Sequence, residues 1–182
     1  MPLHLKKCMT SLSAPITHSS STVASASRLN FVLAYADKPT REIARQVCAG
    51  LVRSLKSQFE VRTSWWSQHL LQRPEIRLSA AKVAAAADMI FCSTHGAEEM
   101  PPAIKAWLDL WAPQKNAFER ALVVLLTLPT SGAVRADRLR ATELYLQDVA
   151  HSADMDFFIK VFPLPLRERP SINQPLAQTE NQ

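Results

Sequence analysis

The nine residues 121–129, ALVVLLTLP, limit the fold more than any other stretch of the chain. The run is too short for an ordinary core helix and is apolar at both odd and even positions, the pattern of a strand buried on both faces of a parallel sheet. Parallel neighbours cannot be joined by a tight turn. Each connection must cross the sheet, and an α-helix is the usual crossover.

The rest of the chain provides the matching pieces. LNFVLAY (29–35), FEVRT (59–63), DMIFCST (88–94) and FFIKVF (157–162) have strand length, and the alternation in FEVRT suits a sheet edge. From Thr40 onward, Ala44, Val47, Cys48, Leu51, Val52 and Leu55 share one helical face, with Arg45, Arg53 and Lys56 off it. SAAKVAAAA (79–87) is a short stretch of high helix propensity. Pro101 and Pro102 fit a first helical turn, and Ile104, Trp107, Leu108 and Trp111 follow at i, i+3, i+4 and i+7, which turns both tryptophans toward the core. AVRADRLRATELYLQDVA (133–150) adds a helix through Leu139, Leu146 and Val149. Five strands alternating with four helices read as a doubly wound α/β sandwich with a five-stranded parallel sheet in the order 2-1-3-4-5.

Length and composition narrow the function classes. At 182 residues and 47% hydrophobic content the chain suits one core, expected over residues 29–163. Residues 1–28 are Ser/Thr-rich without an acidic residue, and 164–182 are rich in proline and polar residues; both read as flexible tails. No apolar run approaches the roughly 20 residues of a membrane helix, so no membrane partner is expected. The net charge of +5 is spread among acidic residues rather than gathered in a stripe, which reads as a solvated surface and not a specific nucleic-acid site. Cys8, Cys48 and Cys92 are odd in number and widely spaced, as free thiols in a reducing compartment are, and a cytoplasmic location follows as the expectation. The N-terminus lacks the apolar segment of a secretory signal, and an organelle transit peptide stays as the alternative.

In the order 2-1-3-4-5, the connections after strands one and three leave in opposite directions, which opens a crevice at the carboxyl edge of the sheet. Three polar loops converge there: ADKPTRE (36–42), STHGAEEM (93–100) and TLPTSGAV (127–134). The stretch STHGAEEMPPAIKAWLDLW resembles the corresponding segment of the NADPH-dependent FMN reductases, a branch of the flavodoxin-like flavoproteins, and SGAVRADRLRATEL is similar to a second, fainter segment of that family. The resemblance implies a flavodoxin-like three-layer sandwich that holds FMN. Lys38, Thr40 and Arg41 would lie near its phosphate, Thr94, His95, Gly96 and Ala97 beside its ring, and Ser131 and Gly132 opposite. It implies NAD(P)H as reductant, a flavin or quinone as acceptor, and a homodimer or other protein partner.

The first loop departs from that pattern. A phosphate cradle uses hydroxyls and free backbone N–H groups at a helix N-terminus. Here Thr40 is the one hydroxyl, Pro39 removes a donor, and Asp37 adds a carboxylate that reads either as a helix cap or as a ligand group. A second reading follows: a flavodoxin-like domain without cofactor that acts as a protein-binding module. Gly96 and Gly132 suit either a close approach to a planar ring or an ordinary turn, and His95 either edges a flavin or is simply solvated.

Other chemistries lack their residues. Cys92 and His95 have no second ligand pair, so no metal site is expected. G-x-S-x-G, P-loop and G-x-G-x-x-G motifs are absent from the sequence. A phospho-acceptor receiver would place an aspartate where this chain has FCSTHG. No catalytic residue is assigned. Trp65 and Trp66 are adjacent and cannot share one strand face, so one of them is expected at an exposed patch or partner interface.

Overall fold

In the computed structural model, residues 27–114, 119–129 and 136–164 are described. Strand β1 (Ser27–Tyr35) leads through helix α1 (Lys38–Leu55) to β2 (Phe59–Ser67). Two helices, α2 (Gln68–Leu71) and α3 (Pro74–Ala85), precede β3 (Met89–His95). Helix α4 (Pro102–Trp111), β4 (Ala121–Pro129), α5 (Ala136–Ser152) and β5 (Asp156–Leu164) complete the order. Every strand pair is parallel, and the sheet order is β2-β1-β3-β4-β5, as the sequence pattern implies.

The alternation of side chains along each strand divides the interior in two. Val32, Ala34, Ile90, Cys92, Leu122, Val124 and Leu126 point to one face and pack with residues of α2, α3, α4 and α5. Phe31, Leu33, Phe91 and Leu125 point to the other, where Ala44 and Cys48 of α1 meet them. Among the described residues, one helix covers this second face. Trp107 and Trp111 are fully buried with ring centroids 5.6 Å apart, edge to face. Burying a tryptophan removes roughly 150–250 Å² from water, about 4–6 kcal/mol, which outweighs the cost of about 1–3 kcal/mol for each indole N–H that lacks a partner among the described residues.

Several boundaries differ from the sequence reading. β1 starts at Ser27 and β5 runs to Leu164, so Ser27, Arg28 and Leu164 belong to the sheet and not to a tail; residues 1–26 and 165–182 of the expected tails lie outside the described residues. β2 runs on to Ser67 and so includes both adjacent tryptophans. Neither indole is exposed: Trp66 packs against the four-helix core and Trp65 against the α1 core, with its ring 6.4 Å from that of Tyr35. α2 is an extra helix, capped by the Ser67 hydroxyl on the Leu70 amide, and Pro74 starts α3 ahead of the alanine-rich segment. A side chain at Gly50, within α1, would meet open space.

Arg120 is the polar residue that the interior depends on. It is buried, and its guanidinium donates to the carbonyls of Ala87 and Ala84, both at 3.1 Å, and lies over the Trp111 ring. The Ala84 carbonyl lies in the last turn of α3 and that of Ala87 just beyond it, where a cation also meets the negative end of the helix dipole. Burial works against its charge and the nearby Asp88 carboxylate supports it; burial prevails, and the pKa falls below its ordinary value. Arg120→Met is expected to lower unfolding free energy by about 2–3 kcal/mol in urea titrations with an unchanged slope, because the α3 carbonyls lose charged donors in a dry site.

Candidate functional site

The carboxyl edge of the sheet is built first by the N-terminus of α1. Asp37 caps the helix: its Oδ1 accepts from the Thr40 amide at 3.1 Å, and the Thr40 hydroxyl accepts from the Asp37 amide at 2.9 Å. The Thr40 hydroxyl is also 2.9 Å from Asp37 Oδ1, and Thr40 is fully buried. Both groups are thus committed to the reciprocal cap, which satisfies donors that a helix start otherwise leaves open.

The loops after β1 and β3 are stitched to each other. The Ala36 amide donates to the Ser93 carbonyl at 3.1 Å, and the Ser93 hydroxyl donates to the Thr40 carbonyl at 2.8 Å. Across the mouth, His95 Nε2 lies 2.9 Å from Asp37 Oδ2, and His95 Nδ1 lies 2.8 Å from the Thr127 hydroxyl. The three side chains come from the ends of three adjoining strands. With its proton on Nε2, His95 donates to Asp37 and accepts from Thr127; doubly protonated, it donates to both, and Thr127 turns its hydroxyl to the Thr94 carbonyl 3.3 Å away. Both protonation states leave every partner satisfied.

The Asp37 carboxyl feels opposing influences. Partial burial raises its pKa, while the Thr40 amide, His95 and the Thr40 hydroxyl stabilise the anion and together bring it below the ordinary value. The carboxylate is therefore ionised at neutral pH.

The residues singled out in the sequence are distributed as follows. Lys38 and Arg41 are exposed on the first turn of α1, the Arg41 guanidinium lying over the Tyr35 ring. Thr40 and His95 join the Asp37 network. Thr94 is buried with its hydroxyl lacking a partner among the described residues. Gly96 is buried, and a Cβ there would come within 3.0 Å of the ends of Leu128 and Leu139, so close packing and not a left-handed backbone accounts for it. Ala97 is half-buried beside it. Ser131 and Gly132 lie outside the described residues.

A separate pocket of about 310 Å³ opens on the other side of the edge, between the loop after β3, the start of α4 and α5. Met100, Ala141 and Tyr145 form its apolar part, and Glu98, Glu99, Lys105 and Arg138 bring both signs of charge. The Lys105 ammonium sits over the Tyr145 ring, whose hydroxyl donates to Asp109 at 2.9 Å. Burial first, then the Asp109 carboxylate, pushes the Tyr145 pKa upward, so the phenol stays protonated. Sequence reasoning missed the network role of Asp37 and Thr127 and all of this pocket. A clue was available only for Asp37, whose D-x-x-T spacing is a capping pattern.

No family model matches the chain, and no curated protein matches it. Among solved structures, Smu.1420 from Streptococcus mutans UA159 is similar, with a TM-score of 0.51 at 10% identity, over 74% of this chain and 87% of that one. The fold is flavodoxin-like. At such low identity the likeness shows the fold alone. General stress protein 14 from Treponema denticola, solved in complex with FMN, has a TM-score of 0.43 at 17% identity over 74% of this chain and 84% of that one, a likeness too loose to bear on ligands here.

The depressed carboxyl of Asp37 sets a pH signature. A group with a lowered folded pKa stabilises the fold fully above its unfolded value, about 4, and that contribution is lost as pH falls through the folded value. Asp37→Ala is expected to cost about 1 kcal/mol at pH 7 by chemical denaturation, with the gap to the parent protein narrowing below about pH 4. A gap that stays constant into acid would contradict the role given to the carboxylate.

Proposed function

We propose that this chain is a flavodoxin-like domain that acts by binding a partner or small molecule at its carboxyl edge, without FMN. One observation carries the reading: the position a flavin phosphate would need at the α1 N-terminus is already held by the protein's own carboxylate. Asp37 caps the Thr40 amide, and the Thr40 hydroxyl is turned inward to the same cap. Pro39, at the start of the helix, has no N–H to offer. The residues of the first loop do not fit the group.

Electrostatics points the same way. Two like charges about 4 Å apart at an effective dielectric near 20 repel by about 4 kcal/mol. Lys38 and Arg41 oppose this only from exposed positions, where water and salt screen them. The tie between Asp37 and His95 also bridges the first and second loops, between which an FMN of the implied pose would lie. Among the described residues, a pocket between α4 and α5 opens at this edge, concave and of mixed polarity, with a volume at the small end of the ligand-site range. The buried thiols of Cys48 and Cys92 support a reducing compartment such as the cytoplasm, and no described helix is long and apolar enough to cross a membrane.

The FMN-dependent NAD(P)H oxidoreductase reading is the competing outcome of the test. Titrating the purified protein with FMN and following flavin fluorescence is expected to show no saturation up to about 100 µM, a dissociation constant far weaker than a resident cofactor shows. Asp37→Asn keeps a capping side chain and removes the charge, so it is expected to bind FMN more tightly than the parent. Micromolar or tighter binding by the parent protein would overturn the proposal and make NAD(P)H oxidation the next assay.

A further inference from the structure

We propose that β5 is a self-association surface, along which a second copy of this chain adds its own β5 antiparallel and doubles the sheet. The inference does not depend on whether the crevice takes a flavin. β5 is an outer strand, bonded to β4 along one edge, and among the described residues nothing pairs with its other edge. Among the described strands it is also the one with the most exposed apolar side chains. Phe158 is 56% exposed, Val161 45% and Ile159 36%. These residues alternate, so both faces of the strand present apolar surface to water.

The cause lies in how the helices are shared out. On the face of Phe158, α1 is the covering helix among the described residues, and it packs chiefly over the strands β1 to β4; of β5, Phe162 joins that cluster and Phe158 does not. Val123, the β4 neighbour of Phe158 in register, is itself only half-buried. The opposite sheet edge is managed differently. β2 carries the exposed Glu60 and Arg62, paired with each other and, through Glu60, with Arg28 of β1, charges of the kind that discourage edge-to-edge pairing. β5 has one charge within its length, Lys160, and one at its start, Asp156, both exposed.

Those two charges name the occupant. In an antiparallel pair centred on Phe158, Asp156 falls opposite the second copy's Lys160, and Lys160 opposite the second copy's Asp156. Phe158 then meets its own counterpart, and Phe157 meets Ile159. Centring the pair on Lys160 would set two ammonium groups against each other, which is unfavourable. The favourable register is self-complementary about a two-fold axis, the commonest symmetry of soluble oligomers. An unrelated partner would have no reason to match the four-residue spacing of Asp156 and Lys160.

Sedimentation velocity of the full chain between about 1 and 100 µM tests this, with dimerisation expected inside that range. Lys160→Asp reverses two symmetry-related pairs and is expected to weaken the dimer about tenfold, as is Asp156→Lys. The combined Asp156→Lys/Lys160→Asp variant is expected to restore it, since the pairs are exchanged and not lost. Circular dichroism of each variant verifies folding, which substitution at exposed positions should leave intact. A monomer at every concentration, a dimer indifferent to the single changes, or a double variant that stays as weak as the single ones would each overturn the proposal.

Discussion

Everything in this molecule follows from the burial of a parallel sheet on both faces. Ile90, Phe91 and Cys92 of β3 and Val124, Leu125 and Leu126 of β4 are fully shielded from water, although consecutive residues along each strand point to opposite sides. A strand can be dry on both sides only between two helical layers, and parallel pairing places the crossovers there. The same burial pushes the Cys92 thiol up to about 12, which leaves it a small apolar side chain with no reactivity at neutral pH. It also demands Arg120, since the end of α3 enters the dry layer and its carbonyls need a donor.

The helical layers are unequal, and the inequality shapes the surface. Among the described residues, four helices cover one face of the sheet and α1 covers the other, centred away from β5. Among the described strands, the large apolar side chains left in water therefore lie on the last one. At the carboxyl edge the geometry acts in the opposite sense. Strand ends that a switch in direction should separate are drawn together by the Ala36 amide, the Ser93 hydroxyl and the Asp37–His95 contact. A helix N-terminus attracts anions, and here the anion that answers it is part of the chain.

Much of the fold is legible from local sequence. ALVVLLTLP predicts a doubly buried strand, and the four apolar positions from Ile104 to Trp111 predict the buried face of α4, because strand and helix periodicities are intrinsic to the backbone. The elements that were misjudged have short-range causes. Trp65 and Trp66 extend β2 because register with Leu33 and Ala34 continues the ladder, which a window of five residues does not reveal. Gly96 gives no sign in the sequence of the two leucines, one from β4 and one from α5, that require its small size.

The candidate site divides along the same line. The sequence by itself determined the order of strands and helices and the periods that imply a parallel sheet, and it offered Asp37 as a cap of α1, since helix caps and side-chain periods depend on neighbours a few positions apart. Only the tertiary structure decided that Asp37 reaches His95 across 58 residues, that His95 in turn reaches Thr127, and that Tyr145 and Lys105 enclose a pocket from two different helices. Side-chain hydrogen bonds act over about 3 Å, and which residues come that close is set by how strands align and helices pack, not by their distance along the chain.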